Sequence, residues 1–191
     1  NPMGWDKKPI HDLGRVVTGS TPPSKLNNMF GSEIPFITPG DLEIDTRKPK
    51  RYVTELGAQK SRLVRGGSTL VCCIGATIGK VDKAFQKSAF NQQINAIEWD
   101  VLIDDMFGWM VMRLHSEVIA EMGTSTTLPI LKKSAFERIS IFVPPLPLQQ
   151  RFAGVVRRFE RLRAQQVEAE RQAEALFQSL LARAFASTHQ R

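Results

Sequence analysis

The sequence predicts a mixed α/β (α+β) domain followed by one long α-helix that pairs as an antiparallel coiled coil. Three observations carry this. From Leu148 a stripe of apolar and small residues, broken only by Gln166, runs Leu148, Phe152, Val155, Phe159, Leu162, Gln166, Ala169, Ala173, Leu176 and Leu180. It steps four, three, four, three, the heptad pattern of helices that pack on one another. Pro144-Pro145-Leu146-Pro147 forms a sharp junction just before it, and upstream of that junction short apolar runs alternate with clusters of Gly, Pro and Thr, the layout of strands joined by loops.

Taken in order, Ile34-Pro35-Phe36-Ile37 is a short apolar strand, residues 68–74 form a stronger one, and residues 93–99 alternate apolar and polar side chains as a half-buried strand does. Between them lie Gly19-Ser20-Thr21-Pro22-Pro23, Pro39-Gly40-Asp41, Gly66-Gly67 and the glycines at 75 and 79, all of them punctuation. A helix is predicted over 104–122, opening with two acids, and a shorter one over 133–139. Residues 139–143 give a last strand. The expected division is an α/β domain over 1–146, a helix over 147–187 and a tail over 188–191. From 149 to 186 the chain has no proline and one glycine, Gly154, and is rich in Ala, Leu, Gln, Glu and Arg, all strong helix formers. Such a helix is roughly 55–60 Å long, and its length and unbroken period set it apart from an ordinary core helix. The stripe requires a partner helix, from another chain or from another part of the same protein.

At 191 residues, 42% hydrophobic and 24% charged, the chain has the composition of a globular protein and not of a disordered or collagen-like one. No apolar run approaches the roughly 20 residues of a membrane span, and no basic-then-apolar leader opens it, so a cytoplasmic protein is expected. The two cysteines, Cys72 and Cys73, are adjacent in an apolar run, without the spacing of a disulfide framework or a metal site. They read as buried thiols in a strand. The formal charge of +7 divides unevenly. Residues 1–146 carry 18 basic against 15 acidic side chains, and 147–191 carry 8 against 4. A basic chain is compatible with nucleic acid, although basic surfaces also serve solubility.

Catalytic signatures are absent. Gly75-Ala76-Thr77-Ile78-Gly79-Lys80 has three residues between its glycines and is followed by Val81, whereas a phosphate-binding loop needs four and a Ser or Thr after the lysine. His11, His115 and His189 lack metal-ligand spacing. There is no nucleophile elbow and no dinucleotide fingerprint. The acids Glu98, Asp100, Asp104 and Asp105 read as a solvated loop leading into a helix. Neither catalysis, a cofactor nor a metal is expected.

Several segments, in order, resemble the DNA-specificity (S) subunits of type I restriction-modification systems, and the resemblance covers nearly the whole chain. They are Trp5 and Leu13-Gly14 followed by Gly19-Ser20-Thr21-Pro22; Ile34-Pro35-Phe36-Ile37-Thr38-Pro39-Gly40-Asp41-Leu42; Gly67-Ser68-Thr69-Leu70-Val71; Ile74-Gly75-Ala76-Thr77-Ile78-Gly79-Lys80; Asn91-Gln92-Gln93-Ile94-Asn95-Ala96-Ile97; and Leu128-Pro129, Lys133, Ile141 and Val143-Pro144-Pro145-Leu146-Pro147 with Gln149-Gln150-Arg151. Leu148 departs from the pattern, standing where the family usually has Glu and extending the stripe by one position. The resemblance implies a target recognition domain that reads half of a split duplex DNA site, and a long helix that spaces, dimerises and docks a methyltransferase (M) subunit. A restriction (R) subunit is the further implied partner. The residues fit these roles. Gly75 and Gly79 would let backbone approach a phosphate, with Thr38, Thr77 and Lys80 as donors. Gln92, Gln93 and Asn95 carry amides able to pair with a base edge, or, where a strand turns them inward, to bond backbone. Ser125 and Thr126, in a run that is either a DNA loop or a turn, lie beside Lys132 and Lys133. Thr21, Lys25, Arg47, Lys60 and Arg62 complete the candidate DNA contacts, with Lys48, Lys50, Arg51 and Arg65 as further basic positions.

A full specificity subunit carries two recognition domains and two long helices, and this chain has one of each. Met3 stands where a start would lie, so Asn1-Pro2 reads as appended, and a half-subunit that pairs with itself is expected. The stretch 148–163 holds Arg151, Arg157, Arg158, Arg161 and Arg163 against Glu160, whereas 164–187 holds Arg171 and Arg183 against Glu168, Glu170 and Glu174. Antiparallel pairing sets the basic half of each copy on the acidic half of its mate, with the two-fold near 166–169. Two competing readings are a protein-interaction module with a coiled-coil oligomeriser, and the recognition part of a fused restriction-methylation enzyme.

Overall fold

The computed structural model describes residues 3–23, 25–42, 44–123 and 128–186. In chain order the elements are β1 (Asp6–Pro9), β2 (Gly14–Thr18), β3 (Phe30–Gly31), β4 (Ile34–Ile37), β5 (Tyr52–Val53), α1 (Glu55–Gln59), β6 (Leu63–Val64), β7 (Thr69–Cys72), β8 (Val81–Lys83), β9 (Ser88–Phe90) and β10 (Ile94–Trp99). They continue with α2 (Asp105–Leu114), α3 (Ser116–Glu121), α4 (Lys133–Phe136), β11 (Ser140–Val143) and α5 (Leu146–Ala186). The chain divides into two compact units, Asn1–Gln150 and Arg151–Arg191.

The first unit is built on a four-stranded antiparallel sheet in the order β2-β10-β7-β8. Its central strands are apolar on both faces because both are covered. Along β7 and just beyond it, Val71 and Cys73 turn to one side, where they join Ile97, Trp99, Met112, Ile119, Phe136 and Ile141. Leu70 and Cys72 turn to the other and meet Ile37, Val64, Phe90, Ile94 and Ala96, as the two-residue period of a strand demands. A five-stranded sheet, β3-β5-β4-β9-β6, lies beyond, with one parallel pair, β4 with β9. A two-stranded ribbon joins β1 to β11. Burial on both faces overturns the half-buried reading of residues 93–99: β10 is buried at every position but Glu98.

The helix expected over 104–122 is two helices. Asp104 caps α2, its carboxylate accepting from the backbone N–H of Met106 and Phe107, which satisfies two of the donors a helix start leaves open. The break falls at His115, where the imidazole meets the carbonyl of Val111 at 2.8 Å and the next hydroxyl, Ser116 Oγ, donates to the carbonyl of Gly79. Of the acids at 98, 100, 104 and 105, Asp100 stands in an exposed turn that leads into α2, whereas Glu98 and Asp105 are bonded to arginine side chains. Arg15 Nε donates to Glu98 Oε2 at 2.9 Å, Arg65 N to Glu98 Oε1, and Arg65 Nη2 to Asp105 Oδ1 at 2.8 Å. Burial pushes the Glu98 carboxyl up, but the Arg15 hydrogen bond, the Arg65 N–H and both guanidinium charges outweigh it, leaving its pKa below the ordinary value. The Asp105 hydrogen bond raises the pKa of Arg65 against the opposing effect of burial.

The first turn of α5 is anchored in the first unit by Gln149, a side chain 1% exposed. Its Oε1 accepts from Asp104 N at 2.9 Å, and its Nε2 donates to the carbonyls of Leu102 at 3.0 Å and Pro144 at 2.8 Å. In the second unit the stripe faces solvent: Val155 and Phe159 are each 68% exposed and Leu176 62%. Among the described residues no helix is long and apolar enough to cross a membrane.

Candidate nucleic-acid interface

The four-stranded sheet has two ends, roughly 15 Å apart at the rise of an extended strand. Strand register assigns residues to each. At one end Cys72 pairs with Ile94, and Asn95 with Thr18, so the segments 19–23, 73–80 and 91–93 emerge together. At the other, Thr69 pairs with both Ile97 and Lys83, and Gly14 with Trp99. That end leads into Asp104, Asp105 and the anchoring contacts of Gln149.

The first end gathers a subset of the expected DNA contacts. Thr21 Oγ1 donates to Gln92 Oε1 at 2.8 Å, both residues exposed. Gln93 is half-buried, and its Nε2 donates to the carbonyl of Ile74. Its position is set by Asn91, whose Nδ2 donates to Gln93 Oε1 at 3.0 Å while its Oδ1 accepts from Gln93 N. Asn91 is thus a positioning residue that the sequence reading passed over, although it stands in the same run. Gly75 N donates to the carbonyl of Pro129, and Ile74 bridges Ile130, which brings the segment entering α4 to this end. Arg62, exposed, is tied here through its backbone N–H to Ser20 Oγ, with Lys60 two residues before it at the end of α1. Lys132, exposed, follows Leu131, whose N–H donates to the carbonyl of Cys73. Lys133 is exposed and ion-paired with Glu137 at 3.3 Å. Lys25 is exposed. Lys80 is half-buried, and its carbonyl accepts from Cys72 N. Ser125 and Thr126 lie outside the described residues.

Five expectations need correction. Asn95 is buried, 3% exposed, with its Oδ1 accepting from Thr18 Oγ1 at 2.7 Å, and cannot present an amide to a base. The Thr38 hydroxyl and N–H both go to Asp41 Oδ2, closing a turn. Thr77 Oγ1 lies 3.3 Å from Cys72 Sγ, turned inward. Gly79 has φ +90°, and a Cβ there would strike the carbonyl of Ser116, so the glycine serves the close approach of α3 and not of a phosphate. Gly75, φ +97°, is buried with Gln93 Nε2 3.2 Å from where its Cβ would sit, and its role is likewise in the turn.

Arg47 is set apart at the other end. Its guanidinium stacks 4.3 Å over Phe85, Lys83 Nζ lies 5.0 Å from the same ring and 3.8 Å over Trp109, and Arg113 covers Trp109 at 5.1 Å. This alternating ladder joins residues far apart in sequence and left no local signal. Arg51 is occupied similarly, 4.0 Å over Phe30.

Comparison with known proteins gives this architecture a family. A family model described as the type I restriction modification DNA specificity domain matches residues 2–174. The specificity subunit of the type I restriction enzyme MjaIX of Methanocaldococcus jannaschii is 31% identical over 84% of this chain and 39% of its own length. That of the type I restriction enzyme HindI of Haemophilus influenzae is 30% identical over 89% and 39%. The chain therefore spans about two fifths of the length of these relatives. Among solved structures, the HsdS subunit from Thermoanaerobacter tengcongensis superposes with a TM-score of 0.66 at 18% identity, over 86% of this chain and 39% of that one, a likeness of fold. A mixed α/β domain running into one long helix, matched by the family model over nearly its whole length, belongs to the type I restriction-modification DNA specificity family.

Proposed function

We propose that this chain is a non-catalytic specificity component of a type I restriction-modification system, acting in the cytoplasm. Residues 1–146 read one half of a bipartite duplex site, and 147–187 form the spacer. The observation that carries this is the convergence of Thr21, Gln92 and Gln93 at one end of the sheet. Paired donor and acceptor atoms on an amide match the edge of a base. Lys60, Arg62 and Lys132 around them supply the phosphate contacts that position without specifying. The stripe from Leu148 to Leu180 pairs antiparallel with a second copy, so that two recognition domains address a symmetric split site. Methyltransferase and restriction subunits dock on that assembly, and the chain needs neither metal nor cofactor for its share.

The test is copurification with a methyltransferase, mapping of the methylated sites, and duplex binding at several salt concentrations. Affinity for the mapped site should fall steeply with salt, and Gln92→Ala should lose on the order of 1–3 kcal/mol of discrimination at one base position. Salt-independent binding, or equal affinity of wild type and Gln92→Ala for mapped and scrambled sites, would count against the reading.

A further inference from the structure

The long helix carries more than a seam. Along one flank, at heptad spacing, stand Val156, Arg163, Glu170 and Phe177, the last three exposed. Their order is apolar, basic, acidic, apolar, so the series read backwards is complementary to itself. We propose that this flank fixes the register in which a second copy of the chain binds antiparallel, with its two-fold between Gln166 and Ala169. The inference rests on the self-pairing described above.

In that register the seam sets Gln166 against Ala169, Leu162 against Ala173, Phe159 against Leu176 and Val155 against Leu180. The flank then places Val156 beside Phe177 of the second copy and Arg163 beside its Glu170, each pair occurring twice. Gln166 Nε2 donates to Glu170 Oε1 at 3.0 Å, which ties that carboxylate to a residue of the seam and leaves its other oxygen to accept from the guanidinium of the second copy. The opposite flank, Arg158, Gln165, Gln172 and Ser179, pairs Arg158 with Ser179 and Gln165 with Gln172, without like charges meeting. A slip of one heptad brings Glu170 onto Glu170 in one direction and Arg163 onto Arg163 in the other. A parallel pair sets Arg158 beside Arg163 and stacks Ala169 and Ala173 on themselves, hollowing the seam. Of these arrangements, only the stated register avoids like-charge contacts, and a slip of two heptads gives up both Arg163–Glu170 pairs. It separates the two Gln149 anchors by roughly 55 Å along the axis, and one heptad of slip would change that by about 10 Å, the length of roughly three base pairs. The flank therefore sets the distance between the two half-sites.

Sedimentation equilibrium on the full chain tests this with Arg163→Glu, Glu170→Arg and the double exchange Arg163→Glu/Glu170→Arg. Each single reversal turns two attractive pairs repulsive and should weaken self-association on the order of tenfold, and the exchange should restore it to within about threefold. As a second measurement, a mixture of Val156→Cys and Phe177→Cys chains should be joined by a short bismaleimide, and either chain alone should not. A wild-type dimer whose exchange variant stays weak, or whose mixed chains fail to crosslink, overturns the register and leaves self-pairing standing. A wild type monomeric at every concentration overturns both.

Discussion

Gln149 offers the sharpest test of how the first unit is built. Its one side chain satisfies three backbone groups, Asp104 N–H and the carbonyls of Leu102 and Pro144, at 2.8–3.0 Å, and it is 1% exposed. Gln149→Ala leaves all three unpaired. An unsatisfied buried group costs about 1–3 kcal/mol. Leu102 is 46% exposed, so water can take over its carbonyl, which leaves two full penalties and a total of about 2–6 kcal/mol. Alanine returns a few tenths of a kcal/mol in helix propensity. The expected outcome is a fall in the urea midpoint at unchanged slope, and a Tm lower by about 5–15 °C for a unit of this size. Gln149→Glu keeps the shape and the acceptor but sets a carboxylate against two carbonyls, and should be at least as damaging. A loss below about 0.5 kcal/mol for Gln149→Ala would show that the three bonds are replaced by solvent and that the anchor is not a polar clamp.

Three further outcomes follow from the same unit. Gly79→Ala drives a Cβ into the carbonyl of Ser116 at φ +90° and should destabilise by about 2 kcal/mol or more in urea titration without DNA; a loss below about 0.5 kcal/mol would refute both the strain and the close approach of α3. Because the folded pKa of Glu98 is lowered, its stabilisation is complete above the ordinary glutamate value and is lost as pH falls below it; the stability gap between wild type and Glu98→Gln should narrow between about pH 5 and pH 3, and a gap that widens on acidification would refute the assigned ion pairing. Burial pushes the Cys73 thiol up to about 12, and Cys72 is buried beside it, so the native protein should resist an aromatic disulfide reagent at pH 8 and release two equivalents on denaturation.

The parts of the fold legible in sequence are those whose signal is local. The apolar runs of β4, β7 and β11 and the heptads of α5 state their own structure, as does the pair of acids that opens α2. Tyr52–Val53 and Leu63–Val64 are strands only because Phe30–Gly31, Ile34–Pro35 and Ala89 pair with them, and two residues carry no period. The candidate interface was legible by residue type and not by direction. Alternation along 93–99 leaves Asn95 either facing a base or turned inward, and because helices cover that face too, its amide is buried and bonds Thr18 of β2. The glycines at 75 and 79 signal an exposed backbone by residue type, but α3 takes the space at Gly79 and the Gln93 amide stands over Gly75.

The division of the sheet into two ends has a consequence for how such a unit can change. The end that holds Gln149 also holds Asp104, the Arg65 and Asp105 pair, and the Arg15 and Glu98 pair, so its side chains are bound to one another and a substitution there exposes a partner. At the other end Thr21 and Gln92 are exposed and bond mainly each other, and their exchange removes little buried area. On the proposed reading, the residues that choose a base are those whose replacement costs the fold least. On the same reading, the residues that set the distance between half-sites stand on α5. Specificity for sequence and for spacing then rest, on that reading, on separate parts of the chain, the loops at the first end of the sheet and α5.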